Sequence, residues 1–106
     1  MITHKQLETF ILSLPGAVLD YPFGKDVAVY KVGDKMFALI AEDRNPVRIS
    51  LKCDPHLAEV LREKYETVLP GYHLNKKHWN TVVCSGQLSE EEIRDLIVHS
   101  HQLVTA

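Results

Sequence analysis

The sequence predicts a single α+β domain over residues 1–106, a two-layer sandwich in which helices pack on one face of an antiparallel sheet. Three observations lead to this fold class. Helical periodicity is present near both ends of the chain, and short β-rich runs lie between those ends. The turns that join the first three runs are too short for a crossover helix, so consecutive strands must be antiparallel. The predicted order of elements is αβββαβα.

The first helix is predicted over residues 3–14. Thr3 and Gln6 have the spacing of a capping box, in which each side chain bonds the backbone amide of the other residue. Pro15-Gly16 then ends the helix. The apolar residues between these signals recur at intervals of three and four and therefore share one helix face; they are Leu7, Phe10, Ile11 and Leu14.

Three strands are predicted next, over residues 27–32, 36–41 and 47–52. Gly33-Asp34 is a two-residue hairpin signal between the first two strands, and residues 43–46 form a turn before the third. In the third strand apolar and polar residues alternate, so we expect one side to be buried and the other to be polar and basic. The outward residues of that strand are Arg48, Ser50 and Lys52.

The second half of the chain predicts two helices and one strand. Asp54 followed by Pro55 is typical of a helix start and predicts a helix over residues 55–65. Residues 66–77 give mixed signals around a turn at Pro70-Gly71, and residues 79–84 then predict a strand. Ser89 and Glu92 form a second capping box that opens the closing helix. The core face of that helix is expected to hold Ile93, Leu96, Ile97, Ser100 and Val104.

The charge of the chain is nearly balanced but unevenly distributed. Twelve Lys and Arg stand against fourteen Asp and Glu, which gives a net charge of −2 and excludes a dedicated, strongly basic nucleic-acid binder. Two short segments, residues 44–52 and residues 73–84, contain basic residues and no acid. If the two segments meet on the uncovered face of the sheet, they form a local positive patch.

These two segments supply the candidate binding residues. Their Lys and Arg side chains would neutralise phosphates, and Trp79 would stack on a base. The alternative is that the basic residues only keep the sheet surface soluble, and that His78 and Trp79 pack their loop against the sheet. The candidate residues are Arg44, Arg48, Lys52, His73, Lys76, Lys77, His78 and Trp79.

No complete motif for catalysis, a metal or a cofactor is present, and a Cys84–His78 pair is the one catalytic alternative that the sequence leaves open. Cys53 and Cys84 are 31 positions apart without a CxxC pair, so the sequence predicts neither a disulfide framework nor a zinc knuckle, and a reducing cytoplasm fits best. His73 and His78 lack the spacing of a metal pair, and His99 and His101 are expected on the surface. The sequence shows no signal peptide and no apolar run near the ~18 residues of a membrane span.

Essentially the whole chain resembles a known family, and residues 70–79 are the most specific part of the resemblance. Residues 50–52, the apolar positions of the helix that follows, and above all residues 70–79 with their His-Trp pair resemble the MmcQ/YjbR family of small bacterial proteins. The resemblance implies a CyaY-like fold, related in topology to bacterial frataxins, and a DNA-binding role. It does not extend to frataxin-like iron binding, because the first helix contains only one acid, Glu8.

Together these features predict a non-enzymatic binding protein of the cytoplasm that needs no cofactor. Its expected partner is DNA, bound weakly and in a salt-dependent way through the basic patch. The alternative is a small anionic-ligand or protein-interaction module that uses the same surface, with His73, His78 and Lys76 under the loop and Arg48 or Lys52 as the anion partner. No membrane partner is expected, and the chain would be a monomer or a weak homodimer.

Overall fold

A six-stranded antiparallel sheet and three helices are formed by residues 2–105, the part of the chain that the computed structural model describes. The strands lie in the order β1-β2-β3-β4-β6-β5, and every neighbouring pair is antiparallel. The predicted α+β class is therefore confirmed. In chain order the elements are α1 (His4–Leu12), β1 (Ala17–Asp20), β2 (Val27–Val32), β3 (Lys35–Ala41), β4 (Arg48–Lys52), α2 (Pro55–Lys64), β5 (Val68–Pro70), β6 (Trp79–Val83) and α3 (Glu90–Thr105).

The helix starts are those that the capping signals predict. At α1 the Thr3 side chain accepts from the Gln6 amide at 3.1 Å, and the Gln6 side chain accepts from the Thr3 amide at 2.9 Å. At α2 the Asp54 carboxylate accepts from the amides of His56 and Leu57, both at 3.1 Å. These bonds satisfy amides that have no partner within the helix. No helix within residues 2–105 is long and apolar enough to cross a bilayer.

The main core lies between the helices and one face of the sheet. Tyr30 is fully buried there, and its hydroxyl donates to the Glu8 carboxylate of α1 at 2.6 Å. Burial, and then the neighbouring carboxylate, raise the pKa of Tyr30, so this hydroxyl stays protonated as a donor. The other large core residues come from α1, the central strands and α3 and include Leu7, Ile11, Phe37, Ile40, Ile49, Ile93 and Ile97.

Three features differ from the sequence prediction. The strands β1 and β5 were not predicted, and they are the two edges of the sheet, with four and three residues. Strands this short contain too little alternation to be recognised without their partners.

His101 is buried rather than exposed, because its ring donates to the Pro15 carbonyl at 2.7 Å and packs edge-on against Phe37.

No helix formed by residues 2–105 packs on the opposite face of the sheet. The predicted alternation in β4 is confirmed, since Ile49 and Leu51 are buried while Arg48, Ser50 and Lys52 are on the uncovered side. A small second cluster of Val29, Leu39 and Trp79 is buried on that side. Part of the uncovered face is roofed by residues 71–78, hereafter the covering loop, which joins β5 to β6.

A carboxylate at the start of α3, that of Glu92, should make the stability of the fold depend on pH. Glu92 accepts from the Ser89 amide at 2.9 Å and from the Tyr65 hydroxyl at 3.0 Å, and these bonds lower the pKa of Glu92. The pKa of Glu92 in the unfolded chain is about 4.3, and its pKa in the folded protein is lower. Ionised Glu92 therefore stabilises the fold above about pH 4.3, and this stabilisation is lost as the pH falls through the pKa of the folded state. We expect Glu92→Gln to flatten the decrease in melting temperature between about pH 5 and pH 3.

The matched control for this prediction is Glu91→Gln. It removes a charge from the same helical turn but leaves the bonds from Ser89 and Tyr65 in place. Melting curves that respond equally to both substitutions would show that the effect comes from charge near the helix dipole rather than from the capping bonds of Glu92.

Candidate ligand-binding groove

A groove with a cavity volume of about 770 Å³ runs across the uncovered face of the sheet. Its floor is formed by side chains of β2, β3, β4 and β6, and its walls by the covering loop, the β3–β4 turn and the β1–β2 loop. The floor is largely apolar. The lining residues are Phe23, Asp26, Val27, Leu39, Ala41, Glu42, Asp43, Arg44, Arg48, Ser50, Tyr72, His73, Leu74 and Thr81.

The covering loop starts at a glycine that approaches β6 too closely for any side chain. The Gly71 amide donates to the Trp79 carbonyl at 2.9 Å. A Cβ atom on Gly71 would lie 2.6 Å from the Trp79 Cβ, well inside van der Waals contact. The Tyr72 amide then donates to Thr81 Oγ1 at 3.1 Å, so the chain turns onto the uncovered face. Glycine at this position is what allows the loop to reach the groove.

The covering loop is also held from the helix side. Arg62 of α2 donates through Nε to Asn80 Oδ1 at 2.8 Å and through Nη2 to the Lys76 carbonyl. Asn80 is buried, and its amide group donates to the Ala58 carbonyl at 3.3 Å. Lys76 Nζ donates to the Gly71 carbonyl at 3.0 Å, which closes the loop on itself. The wall formed by this loop is therefore fixed by side-chain bonds at both of its ends.

Two hydroxyl groups form the polar part of the floor. Ser50 Oγ and Thr81 Oγ1 lie opposite each other on β4 and β6 and are 2.8 Å apart. Thr81 Oγ1 already accepts from the Tyr72 amide. Ser50 is half-buried and lines the groove, so its hydroxyl can exchange a hydrogen bond with a bound molecule.

Two arginine side chains stand at one end of the groove. Arg44 from the β3–β4 turn and Arg48 from the start of β4 are both exposed. Within residues 2–105, neither guanidinium lies within 4.0 Å of a carboxylate or donates a hydrogen bond. The donors of both guanidinium groups are therefore available to an anion, which arginine can bind in a bidentate way.

Acidic residues also line this end of the groove, but one of them is already engaged. The Glu42 carboxylate accepts from the Tyr21 hydroxyl at 3.3 Å and lies 3.4 Å from His4 Nδ1. Asp26 and Asp43 are exposed. The potential along the groove is therefore mixed, with the positive charge confined to the two arginines.

Backbone strain is present on two walls of the groove. Within residues 2–105, Asp43 and His73 are the non-glycine residues with positive φ, at 56° and 58°. Both of them line the groove, one from the β3–β4 turn and one from the covering loop. A non-glycine residue in this region costs about 1–2 kcal/mol, and such residues cluster at ligand sites, where the surrounding structure holds them in place.

The eight predicted site residues are not all in one place. Arg44, Arg48 and His73 line the groove. Lys52 is at the other end of β4, roughly 13 Å of strand away from Arg48, and the Cys53 amide next to it donates to the His78 carbonyl at 2.7 Å. The two basic segments are therefore neighbours through the pairing of β4 with β6, but their side chains form two separate groups rather than the single patch that was expected. We call the second group, Lys52, Lys76, Lys77 and His78, the lysine end.

Trp79 does not have the exposure that stacking on a base requires. Its side chain is 7% exposed and packs with Val29 and Leu39 under the covering loop. The expectation of an accessible indole is wrong, because in β6 this residue pairs with Lys52 on the uncovered face and the loop then closes over it. The packing alternative describes Trp79 correctly.

Several residues that line the groove or hold its covering loop are absent from the sequence prediction. Phe23 and Tyr72 belong to loops, where no periodicity indicates the direction of a side chain. The roles of Arg62 and Asn80 depend on contacts with residues that are distant in the sequence, which no local pattern reveals. A signal was present for the first two, since each is an aromatic residue beside proline or glycine in a turn-rich segment.

The cysteines are buried, and their chemistry follows from that burial. Cys53 and Cys84 are both free, and desolvation raises the pKa of each thiol to about 11. At neutral pH the thiols are therefore almost entirely protonated, whereas a nucleophilic cysteine reacts as the thiolate. In the described part of the chain no three His, Cys, Asp or Glu side chains are grouped so that they could hold a metal ion.

Comparisons of sequence relate the chain to small bacterial proteins. A family model described as YjbR matches residues 12–103. The uncharacterized protein YbdF of Escherichia coli O157:H7 is 41% identical over 101 residues, which are 95% of this chain and 83% of YbdF. The uncharacterized protein YjbR of Escherichia coli strain K12 is 37% identical over 101 residues, which are 95% of this chain and 86% of YjbR.

Comparisons of structure give the same result. The crystal structure of a Deinococcus radiodurans protein with a DUF419 domain superposes with a TM-score of 0.94 at 39% identity, covering 99% of this chain and 80% of that one. A crystal structure of a Pseudomonas syringae protein superposes with a TM-score of 0.82 at 32% identity, covering 97% of this chain and 99% of that one. The similarity to these proteins is therefore seen both in sequence and in fold, and it extends over nearly the whole chain.

Proposed function

Because the chain belongs to the YjbR family of small bacterial proteins, we propose a function for the groove on the uncovered face of its sheet. The protein is a non-enzymatic binding protein that takes a small organic anion in this groove. The supporting observation is the pair of exposed arginines, Arg44 and Arg48, which have no carboxylate partner within residues 2–105 and stand at the end of a largely apolar groove.

Shape and size support a small ligand. Ligand pockets are concave, mostly apolar and roughly 300–1,000 Å³ in volume, with a few polar groups that orient the ligand. The groove, at about 770 Å³, fits that description, and the Ser50–Thr81 hydroxyl pair together with the two arginines supplies the orienting groups. The anionic group would bind at Arg48 and the apolar part would cover Leu39 and Val27.

The charge distribution supports a ligand with a single anionic group. Exposed Asp26 and Asp43 line the same groove as the arginines and would repel a second negative charge bound beside them. A ligand with one carboxylate or phosphate, bound directly by the arginines, therefore fits this charge distribution better than a polyanion that lies along the whole groove.

DNA binding is the second candidate, and the lysine end favours it. Lys77 and His78 are exposed beside half-buried Lys52, on the same side of the sheet as Arg48. These groups and the arginines could contact phosphates along one strand of the backbone, which would give binding that weakens steeply with salt. Two features weaken this candidate: the burial of Trp79 and the net charge of −2.

A thermal-shift titration separates the two candidates. The probes are inorganic phosphate, benzoate, phenyl phosphate and a short DNA duplex, each at about 50 mM and about 200 mM salt. We expect saturable stabilisation by a small organic anion, because a ligand that binds only the folded state raises its melting temperature. If no small anion stabilises the protein while the duplex does so in a salt-dependent way, DNA replaces the small anion as the ligand.

A further inference from the structure

We infer that the groove is specific for a flat aromatic ring bearing the anionic group, held between Phe23 and Tyr72. This inference rests on the proposed function and adds the chemical class of the ligand. Neither aromatic residue belongs to the candidate site that the sequence predicts.

The first observation is the exposure of the two aromatic side chains. Phe23 is 62% exposed and Tyr72 is 67% exposed, which makes them the two most exposed large apolar side chains in residues 2–105. Single exposed apolar residues are common on protein surfaces, but exposed apolar surface gathered in one groove marks a binding site. Both of these residues line the groove.

The second observation is their position on two sides of the groove. Phe23 belongs to the β1–β2 loop, and Tyr72 belongs to the covering loop between β5 and β6. In the sheet order β1-β2-β3-β4-β6-β5, these loops come from opposite sides of the central strands β3 and β4. A molecule lying on Leu39 of β3 would therefore have one aromatic residue on each side.

The third observation is that both residues are held by tight turns. Gly24 follows Phe23 with φ at +97°, and its amide donates to the Tyr21 carbonyl at 3.2 Å. The Tyr72 amide is bonded to Thr81, and its ring lies 4.0 Å from the His73 ring, centroid to centroid. Because these turns already fix the backbone at both residues in the free protein, less backbone conformational entropy is lost when a ligand binds.

Aromatic residues recognise aromatic ligands through offset and edge-to-face contacts, which add to ordinary apolar burial. A ring between Phe23 and Tyr72 would place a substituent near Arg44 and Arg48 at the end of the groove. The shared chemistry is a planar ring with one anionic group, and either an aromatic carboxylate or a nucleoside monophosphate could supply it.

The experiment is an isothermal titration of the full chain with a matched pair of ligands, phenyl phosphate and cyclohexyl phosphate. The two share an anionic group and differ in whether the ring is flat and aromatic. We expect phenyl phosphate to bind about five-fold to ten-fold more tightly. Phe23→Ala and Tyr72→Ala should each remove most of that preference, whereas Leu103→Ala, an exposed apolar residue of α3, should leave it unchanged.

The outcomes separate the two proposals. Equal affinity for the two phosphates, with binding that needs Arg48, overturns the aromatic specificity and leaves the proposed function intact. If neither phosphate binds, and benzoate and uridine monophosphate also fail, both proposals are wrong. If the ring preference is found, comparing benzoate with uridine monophosphate identifies which source of the aromatic anion fits better. Far-UV circular dichroism of each variant confirms that these surface substitutions leave the fold unchanged.

Discussion

Replacing Arg48 with alanine is expected to weaken binding of the organic anion by about ten-fold to a hundred-fold, because a hydrogen bond to a charged group contributes about 1.5–3 kcal/mol. The melting temperature of the free protein should change little, since the Arg48 side chain is exposed and has no ion-pair partner within residues 2–105. Isothermal titration with phenyl phosphate measures the first effect, and a thermal melt measures the second.

Two further variants make this prediction specific. Arg48→Lys keeps the charge but loses the planar pair of donors, so its affinity should lie between those of the wild type and the alanine variant. Lys52→Ala removes a charge from the same face of β4 at the other end of the strand and should leave the affinity unchanged. An equal loss in Arg48→Ala and Lys52→Ala would point to a diffuse electrostatic surface, as DNA binding requires.

Replacing Ile40 with alanine is expected to lower the free energy of unfolding by about 2–5 kcal/mol. Ile40 is fully buried on the helix-covered face of β3 and belongs to the main core. The loss is a large part of the roughly 5–15 kcal/mol that stabilises a domain. Urea unfolding followed by circular dichroism measures the change, and the affinity of the folded variant for the anion should stay within about two-fold of the wild type.

The neighbouring residue in the same strand is the matched comparison. Leu39 points to the other face of β3, where it packs with Val29 and Trp79 and forms part of the groove floor. Leu39→Ala should therefore lower both the stability and the affinity for the anion. If Ile40→Ala weakens the affinity as much as Leu39→Ala does, the assignment of core and groove to opposite faces of the sheet is wrong.

The elements that the sequence predicts correctly depend on residues that are close together in the chain. The Thr3–Gln6 capping box and the Asp54-Pro55 start depend on residues within one helical turn, and the structure contains both. The alternation in β4 also follows from neighbouring residues. The edge strands β1 and β5 exist because of pairing with β2 and β6, and four or three residues do not reveal such pairing in advance.

The site was predicted in part for a similar reason. Charge is a property of a residue wherever it lies, so Arg44 and Arg48 could be identified from the sequence, and the structure places both in the groove. The burial of Trp79 depends on the path of the covering loop, which is set by contacts of Gly71, Arg62 and Asn80. Such contacts between distant residues leave no periodic pattern in the chain. The sequence therefore does not reveal that Trp79, the aromatic residue it predicts as a stacking partner, is buried.

The most direct test of the central claim is a map of the bound surface by two-dimensional amide NMR. The isotopically labelled chain is titrated with phenyl phosphate, and shifted amide signals are assigned to residues. The proposed function predicts saturable shifts confined to the groove, strongest at Arg48, Ser50, Thr81 and Tyr72, with little change in α3. Shifts centred on the lysine end, or no shifts at millimolar ligand, would contradict it.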